Sequence, residues 1–354
     1  MVLCSGSTDS GPTSEEVHRV DDAVSQVATT SRPTDLTDFG ELEQYRKELT
    51  GYCYRMLGSS YEAEDAVQDA LIKAWRAIDR FEGRSSLRTW LYRIATNVCY
   101  DLLKGRKRRA RPMDISPAST VDTAVLGSPL PEITWLEPIP NGRVLTDGND
   151  PAERAVQRDS IRLAFIAALQ HLPPRQRSVL ILREVLRWKA KEVADLLDTT
   201  VASVNSALQR ARATLSEQGV SDAGTSEVVS EDNEELLAQY VEAFERYDID
   251  RLVSLLRDDA TLSMPPYNLW ISGPEEIGKW HLGPGIGCQN SRLVPVMANG
   301  SKAFGHYKLQ EGVMKPWAIQ IVETKGDWIV GLNAFLDTDR MFPLFGLPPI
   351  FEGS

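Results

Sequence analysis

Residues 190–215, AKEVADLLDTTVASVNSALQRARATL, decide how this chain is read. They divide into two short helical patterns around a tight turn. Val193, Ala194, Leu196 and Leu197 give the first an apolar face. Thr199 and Thr200 stand where a hydroxyl can accept a free backbone N–H and cap the next helix. Val204, Ala207, Leu208, Ala211 and Leu215 then recur at three- and four-residue steps and share one buried stripe. The opposite face carries Ser203, Asn205, Ser206, Gln209, Arg210 and Arg212, side chains able to reach base edges and phosphates in a major groove. This is a helix-turn-helix pattern, and its plainer alternative is a helical hairpin with a solvated face. Arg210 and Arg212 are two apart and point in different directions, one suited to a base and the other to a phosphate.

A second informative stretch lies upstream, residues 63–109, AEDAVQDALIKAWRAIDRFEGRSSLRTWLYRIATNVCYDLLKGRKRR. Apolar periodicity predicts helices over 39–58, 61–80 and 87–104, a compact bundle. Ala66, Val67, Ala70, Leu71, Ala74, Trp75 and Ile78 form the apolar side of the second helix. Between the second and third helices lies a loop, Phe81, Glu82, Gly83, Arg84, Ser85 and Ser86, with an aromatic, a glycine and several hydrogen-bonding groups. Asn97 can both donate to and accept from a base edge. Single strands are read by stacking and by hydrogen bonds to such edges. Trp90, at helical spacing with Ile94, suits a core position better than a stacking platform. Six basic residues within 104–111 exceed what a helix dipole calls for. Arg88, Arg93, Lys104, Arg106, Lys107, Arg108 and Arg109 are the candidates for phosphates.

Together these stretches resemble the extracytoplasmic-function (ECF) group of bacterial sigma factors. AEDAVQDALIKAWR and FEGRSSLRTWLYRIATN are similar to sigma region 2, and LPPRQRSVLILREVLRWKAKEVADLL followed by SVNSALQRAR to region 4. WLEP in the connecting stretch and the C-terminal extension resemble the SigG-type members. The resemblance implies a protein that binds core RNA polymerase, at the clamp of the largest subunit and the flap of the second-largest, and promoter DNA. It puts Asp65, Gln68, Asp69, Ile72 and Lys73 on the helix that meets the clamp. It puts the 81–86 loop and Asn97, with Arg93, Arg106 and Arg108, at the −10 element, and the outer face of 201–215 at the −35 element. Asn205 and Gln209 stand where basic residues or His often occur in the group, which leaves the −35 preference open.

The net charge of −11 looks wrong for a DNA binder until it is divided along the chain. Residues 41–111 carry +5 and 151–217 carry +4, whereas 1–40, 112–150 and 218–354 are acidic. The acidic parts either mask the basic ones or simply keep the chain soluble. Four cysteines at 4, 53, 99 and 288 show neither disulfide nor zinc spacing, and no metal or cofactor is expected. No apolar run approaches bilayer length and no signal peptide is visible, so the expectation is a cytoplasmic protein that makes no membrane contact.

A chain of 354 residues predicts two or three domains. The expected order is a disordered acidic N-terminus (1–37), an all-α region 2 bundle (38–111), a Pro- and Gly-rich linker (112–150), an all-α region 4 (151–217), a polar linker (218–233), an α+β domain (234–345) and an apolar tail (346–354). Within the first linker Trp135, Leu136, Glu137 and Pro138 form an apolar island suited to a regulatory docking contact. Helices over 234–247 and 250–257 precede alternating runs at 260–264, 292–298, 303–309, 317–322 and 328–335, with Lys325-Gly326-Asp327 as a hairpin turn. This part resembles the NTF2/SnoaL cone, which implies a regulatory domain that takes a small-molecule ligand or stands in for an anti-sigma partner. The alternative is a sigma-like DNA-binding protein fused to an isomerase- or cyclase-like enzyme. For that reading His281, His306, Tyr307, Glu311, Glu323 and Asp337 are candidates by residue type alone and form no nucleophile–base pattern. The expectation is a chain that is not an enzyme.

Overall fold

The computed structural model describes residues 39–123, 126–146, 150–217 and 233–352. The N-terminal stretch expected to be disordered, and the second linker apart from Asn233, lie outside the described residues.

The first bundle is built from α1 (Gly40–Glu43), α2 (Arg46–Leu57), α3 (Ser60–Ala77) and α4 (Leu87–Leu103). The single helix expected over 39–58 is interrupted at Gln44–Tyr45. Ser59 and Ser86 start α3 and α4 by accepting the amide hydrogens of Glu62 and Thr89 at 3.2 and 3.1 Å. Trp75, expected on the apolar side of α3, is instead exposed, edge-on to Phe39 at 5.8 Å. The core closes on Leu71, Tyr52 and Tyr92 without it.

The connecting stretch holds α5 (Asn141–Val144), and the second helical unit follows: α6 (Pro151–Asp159), α7 (Leu163–Gln170), α8 (Pro174–Leu180, continued by a π turn, Ile181–Val185), α9 (Ala190–Leu196) and α10 (Val201–Glu217). Thr200 accepts the amide hydrogen of Ser203 at 3.1 Å and caps α10, while Asp198 turns the chain at φ 50°. The expected stripe Val204, Ala207, Leu208, Ala211 and Leu215 is buried. One continuous hydrophobic core runs through both helical units. Tyr92 of α4 meets Trp188 at 5.0 Å between ring centres. Arg177, buried beneath α7, donates to the carbonyls of Met56, Gln170 and Leu172. Burial without a carboxylate partner pushes its pKa down to about 10.

The C-terminal domain sets α11 (Glu234–Arg246), α12 (Ile249–Ser254) and α13 (Pro274–Leu282) against one face of a six-stranded sheet. Its strands are β1 (Leu256–Ser263), β2 (Trp270–Ser272), β3 (Arg292–Ala298), β4 (Ser301–Gln310), β5 (Val313–Lys325) and β6 (Trp328–Phe335), in the order β2-β1-β6-β5-β4-β3. Only β1–β6 is parallel. This is an α+β architecture, as expected, with three helices on one face of a mostly antiparallel sheet. The opposite sheet face is covered by α14 (Thr338–Leu344) and the apolar tail, with Leu163 and Tyr61 of the helical units beside them. The helix expected over 250–257 stops at Ser254 because Leu256 already pairs with Ile329. Neither β2 nor α13 was expected. Among the described residues no helix is long and apolar enough to cross a membrane.

Candidate nucleic-acid and polymerase surfaces and the docked linker

Each surface follows from which residues the two helical units leave outside their shared core. On α3, Asp65, Gln68, Asp69 and Lys73 are exposed and Ile72 is half-buried, so the five lie along one accessible face that Trp75 extends. On α10, Ser203, Asn205, Ser206, Gln209, Arg210 and Arg212 are all exposed. Of these, Arg212 is drawn 2.7 Å from the Glu184 carboxylate.

The −10 candidates are placed differently. Glu82, Arg84, Ser85 and Ser86 are exposed, and Arg84 pairs with Glu82 inside the loop. Gly83 holds the turn at φ 67°. Phe81 leans on Trp90, 5.0 Å away, and Trp90 packs on the core as expected. Asn97 is exposed on α4, one turn from Arg93. Arg93 donates to the Asp195 carbonyl on α9, so the second helical unit sits against the face of α4 that carries Arg93 and Asn97.

The basic run divides between solvent and protein. Lys104 and Lys107 are exposed; Arg106 pairs with Glu62, and Arg108 meets the His171 ring. Burial, and after it that guanidinium, push the imidazole pKa down. Two candidates are corrected here. Arg109 is buried, donating to the Glu132 and Trp135 carbonyls, 3.0 Å from Glu62 and 4.0 Å from Glu137. Arg88 lies between the Tyr92 and Trp188 rings and forks onto Glu48 at 2.7–3.0 Å. Neither guanidinium is free for a phosphate in this arrangement.

Trp135, Leu136, Glu137 and Pro138 are all buried, and each finds its place through a neighbour. Gly58 ends α2 at φ 71°, and a Cβ there would stand 2.7 Å from the Leu136 side chain. The missing side chain therefore admits both the turn and the linker. The Glu137 amide donates to the Gly58 carbonyl at 3.0 Å, and Tyr54 Oη donates to the Glu137 carbonyl at 2.8 Å. The Glu137 carboxylate accepts from Ser59, with Arg109 and Arg340 at 4.0 and 3.5 Å. Burial outweighs these partners and raises its pKa. Arg340, on α14, also meets Glu132 and Asp337 and lies 4.1 Å over the Tyr61 ring. A cavity of about 30 Å³, large enough for one water, remains between Trp135, Glu137, Pro265, Pro266, Phe335 and Met341. Upstream, the linker runs along the sheet domain: the Ser119 and Leu130 amides donate to the Trp270 and Pro266 carbonyls.

The β3–β4 turn, Asn299-Gly300, is a contact that the sequence reading missed. Asn299 Nδ2 donates to Tyr54 Oη at 2.6 Å and to the Ile161 carbonyl at 2.7 Å, while its Oδ1 accepts the Ile139 amide at 3.0 Å. One side chain thus ties the sheet domain to region 2, the linker and region 4. Gly300, at φ 76°, lies so close to α6 that a Cβ would stand 2.6 Å from the Arg158 carbonyl oxygen. Asn-Gly between two alternating runs is a strong hairpin signal that the reading passed over; it locates the turn, though not its docking.

The enzyme candidates scatter. Tyr307 faces α14 and donates to the Pro348 carbonyl, Glu323 lies beside Gly331, and Asp337 belongs to the Arg340 cluster. Glu311 is exposed at the β4–β5 turn. Only His281 and His306 come together, on either side of Phe244. No group of three or more His, Cys, Asp or Glu able to hold a metal occurs among the described residues.

Comparison with known proteins agrees with this layout. The Sigma-70 region 2 family matches residues 42–109, and the Sigma-70 region 4 family matches 162–215. The ECF RNA polymerase sigma factor SigG of Mycobacterium tuberculosis is 44% identical over 360 residues, spanning 98% of this chain and 95% of its own. The ECF RNA polymerase sigma-E factor of Escherichia coli (strain K12) is 31% identical over 169 residues, 48% of this chain and 79% of its own. Among solved structures, the Mycobacterium tuberculosis ECF sigma factor SigJ aligns with a TM-score of 0.57 at 21% identity, covering 88% of this chain and 100% of that one, a likeness of fold. With two sigma regions in order and a full-length relative at this identity, the chain belongs to the extracytoplasmic-function RNA polymerase sigma factors.

Proposed function

We propose that this sigma factor is held closed by its own C-terminal domain, and that core RNA polymerase and promoter DNA engage it once that closure loosens. In this reading α3 meets the polymerase clamp through Asp65, Gln68, Asp69, Ile72 and Lys73. The 81–86 loop and Asn97 hold the −10 strand, and α10 reads the −35 element. The third domain catalyses nothing; its role is to hold the linker and both sigma regions. The observation that carries this is the pair of contacts at Asn299 and Arg340, which join the sheet domain to region 2, the linker and region 4. The α9 carbonyl on Arg93 supports it, because opening a promoter requires that face of α4 to meet DNA.

The test is run-off transcription with bacterial core polymerase on a promoter library, using the full chain and its Arg340→Glu variant. The reversed charge faces Glu132, Glu137 and Asp337 and undoes the clamp. Chain-dependent transcripts from both proteins, stronger with the variant, are expected. Equal transcription from every promoter would remove the cis-control reading. Polymerase binding without any specific transcript would remove the promoter-reading roles.

A further inference from the structure

The docked turn between β3 and β4 is also a reactive dipeptide. Asn299 and Gly300 are its two central residues, at φ 51° and 76°, with Ala298 and Ser301 paired on either side. Asn-Gly loses the asparagine amide readily, because no side chain on the glycine shields its backbone nitrogen. That nitrogen gives up its proton and attacks Asn299 Cγ. The Cγ–Nδ2 bond breaks, ammonia leaves, and a five-membered succinimide ring remains. Water then opens the ring at one carbonyl to give aspartate or at the other to give isoaspartate. In sum one water is consumed, one ammonia is released, and the amide becomes an acid.

The docked arrangement blocks each part of that reaction. Asn299 is 1% exposed, and its amide is fixed by the three hydrogen bonds to Tyr54, Ile161 and Ile139. The Gly300 N–H, which must lose its proton before the attack, donates to Asn141 Oδ1 at 2.7 Å. Asn141 opens α5 in the linker, and beside it Pro140 bridges Ala298 at the end of β3. The protection is therefore supplied by the helical units and the linker together, and it ends when the sheet domain undocks. An aspartate at 299 has no N–H to return. The Ile161 carbonyl and Tyr54 Oη both need a donor there, and the Tyr54 proton already goes to the Glu137 carbonyl at 2.8 Å. Even a protonated acid offers one hydrogen where two are needed. Isoaspartate adds a main-chain carbon to a turn packed so tightly on α6 that a Cβ on Gly300 would stand 2.6 Å from the Arg158 carbonyl oxygen.

We propose that Asn299 is a deamidation site gated by docking: it is converted only while the sheet domain is undocked, and a converted chain cannot dock again. A molecule that has stayed open is thereby left open, by a covalent change that needs nothing but water. A second Asn-Gly pair, Asn141-Gly142 in the linker, supplies the contrast. The half-buried Asn141 side chain serves only as an acceptor, so an aspartate there would still receive the Gly300 amide hydrogen. Loss of the amide therefore matters at 299 and not at 141. The inference rests on the proposed closure, and its test reads docking rather than transcription.

The full chain is aged at mildly alkaline pH, folded and in concentrated urea, and the peptide holding residue 299 is assayed by mass spectrometry after chromatography that separates aspartate from isoaspartate. Conversion at 299 should be at least about tenfold slower in the folded chain than in urea. In the aged folded sample, limited proteolysis of the linker near 116–130 should cut first the molecules already converted at 299. Asn299→Asp should be cut there at least about tenfold faster than the unmodified chain, and Asn141→Asp at the unmodified rate. If Asn299→Asp fails to fold, the two readouts on the unmodified chain still decide. Equal conversion at 299 in folded and urea-treated chain would overturn the gating. Cutting that ignores conversion at 299, or an Asn299→Asp linker as protected as before, would overturn the loss of docking. Equal transcription by the unmodified chain and Arg340→Glu would remove the cis control and leave both of these readouts in force.

Discussion

The two proposed DNA-reading halves of this molecule stand in opposite conditions. The −35 half, α10, turns its polar face outward, with Arg212 tied back to Glu184 and Ser203 accepting from the Thr200 cap. In the −10 half, Arg93 is engaged by α9, Arg106 by Glu62, Arg108 by His171 and Arg88 by Glu48, while Arg109 lies inside the fold. Both halves are basic and both come from helices with a clear apolar stripe. The difference comes from what packs beside them. A guanidinium is free for DNA only where no carboxylate or carbonyl of the same chain has reached it first. In the proposed reading, the closed form leaves the α10 face open and obstructs the α4 face.

Acid provides the largest test of this asymmetry, because the buried imidazoles lie in the sheet domain and the shared helical core has none. His281 and His306 titrate near 6.5 when unfolded, and burial lowers them to about 4 and about 3. Their contribution is complete above about pH 6.5 and is lost as the pH falls towards their folded values, roughly 4 kcal/mol for the pair by pH 5. The sheet domain should then unfold first and free the −10 half. Differential scanning calorimetry between pH 7 and pH 5 should show one transition splitting into two. A single transition throughout would mean that the two halves share one fate.

Asn299→Ala is the next largest break. It leaves Tyr54 Oη, the Ile139 amide and the Ile161 carbonyl without the partners that Asn299 supplies, at a cost of about 3 kcal/mol to the closed form. Limited proteolysis should then cut the linker near 116–130 faster than in the unmodified chain. Unchanged cutting would show that Arg340 alone holds the closure.

Arg210→Ala sharpens the other side. The side chain is exposed, so stability should not move. Binding to the −35 element should weaken by about 2 kcal/mol and tolerate a changed base at one position. A uniform loss across sequences with a flatter salt slope would make Arg210 a phosphate contact instead.

Much of this was legible in the residues. The α10 stripe, the Thr200 cap, five of the six strands and the Lys325–Trp328 hairpin follow from periodicity and turn chemistry, which act over a few neighbours. The burial of 135–138 was foreshadowed by an apolar island in a polar stretch. Harder to see were β2, three residues long, and α13, whose short pattern is interrupted by Gly278. Trp75 was placed on the wrong side because its spacing fits the stripe, whereas the core closes without it and leaves it exposed beside Phe39.

By itself the sequence determined that two basic helical units flank a linker and precede an α+β domain, because local spacing dictates which face of each element is apolar. Only the tertiary structure decided that Arg109 and Arg88 serve the fold, that Asn299 joins every part, and that two imidazoles share one interior. Those outcomes depend on partners up to 245 residues away, as between Tyr54 and Asn299, and no local pattern carries information about which distant group will satisfy a buried charge or hydrogen bond.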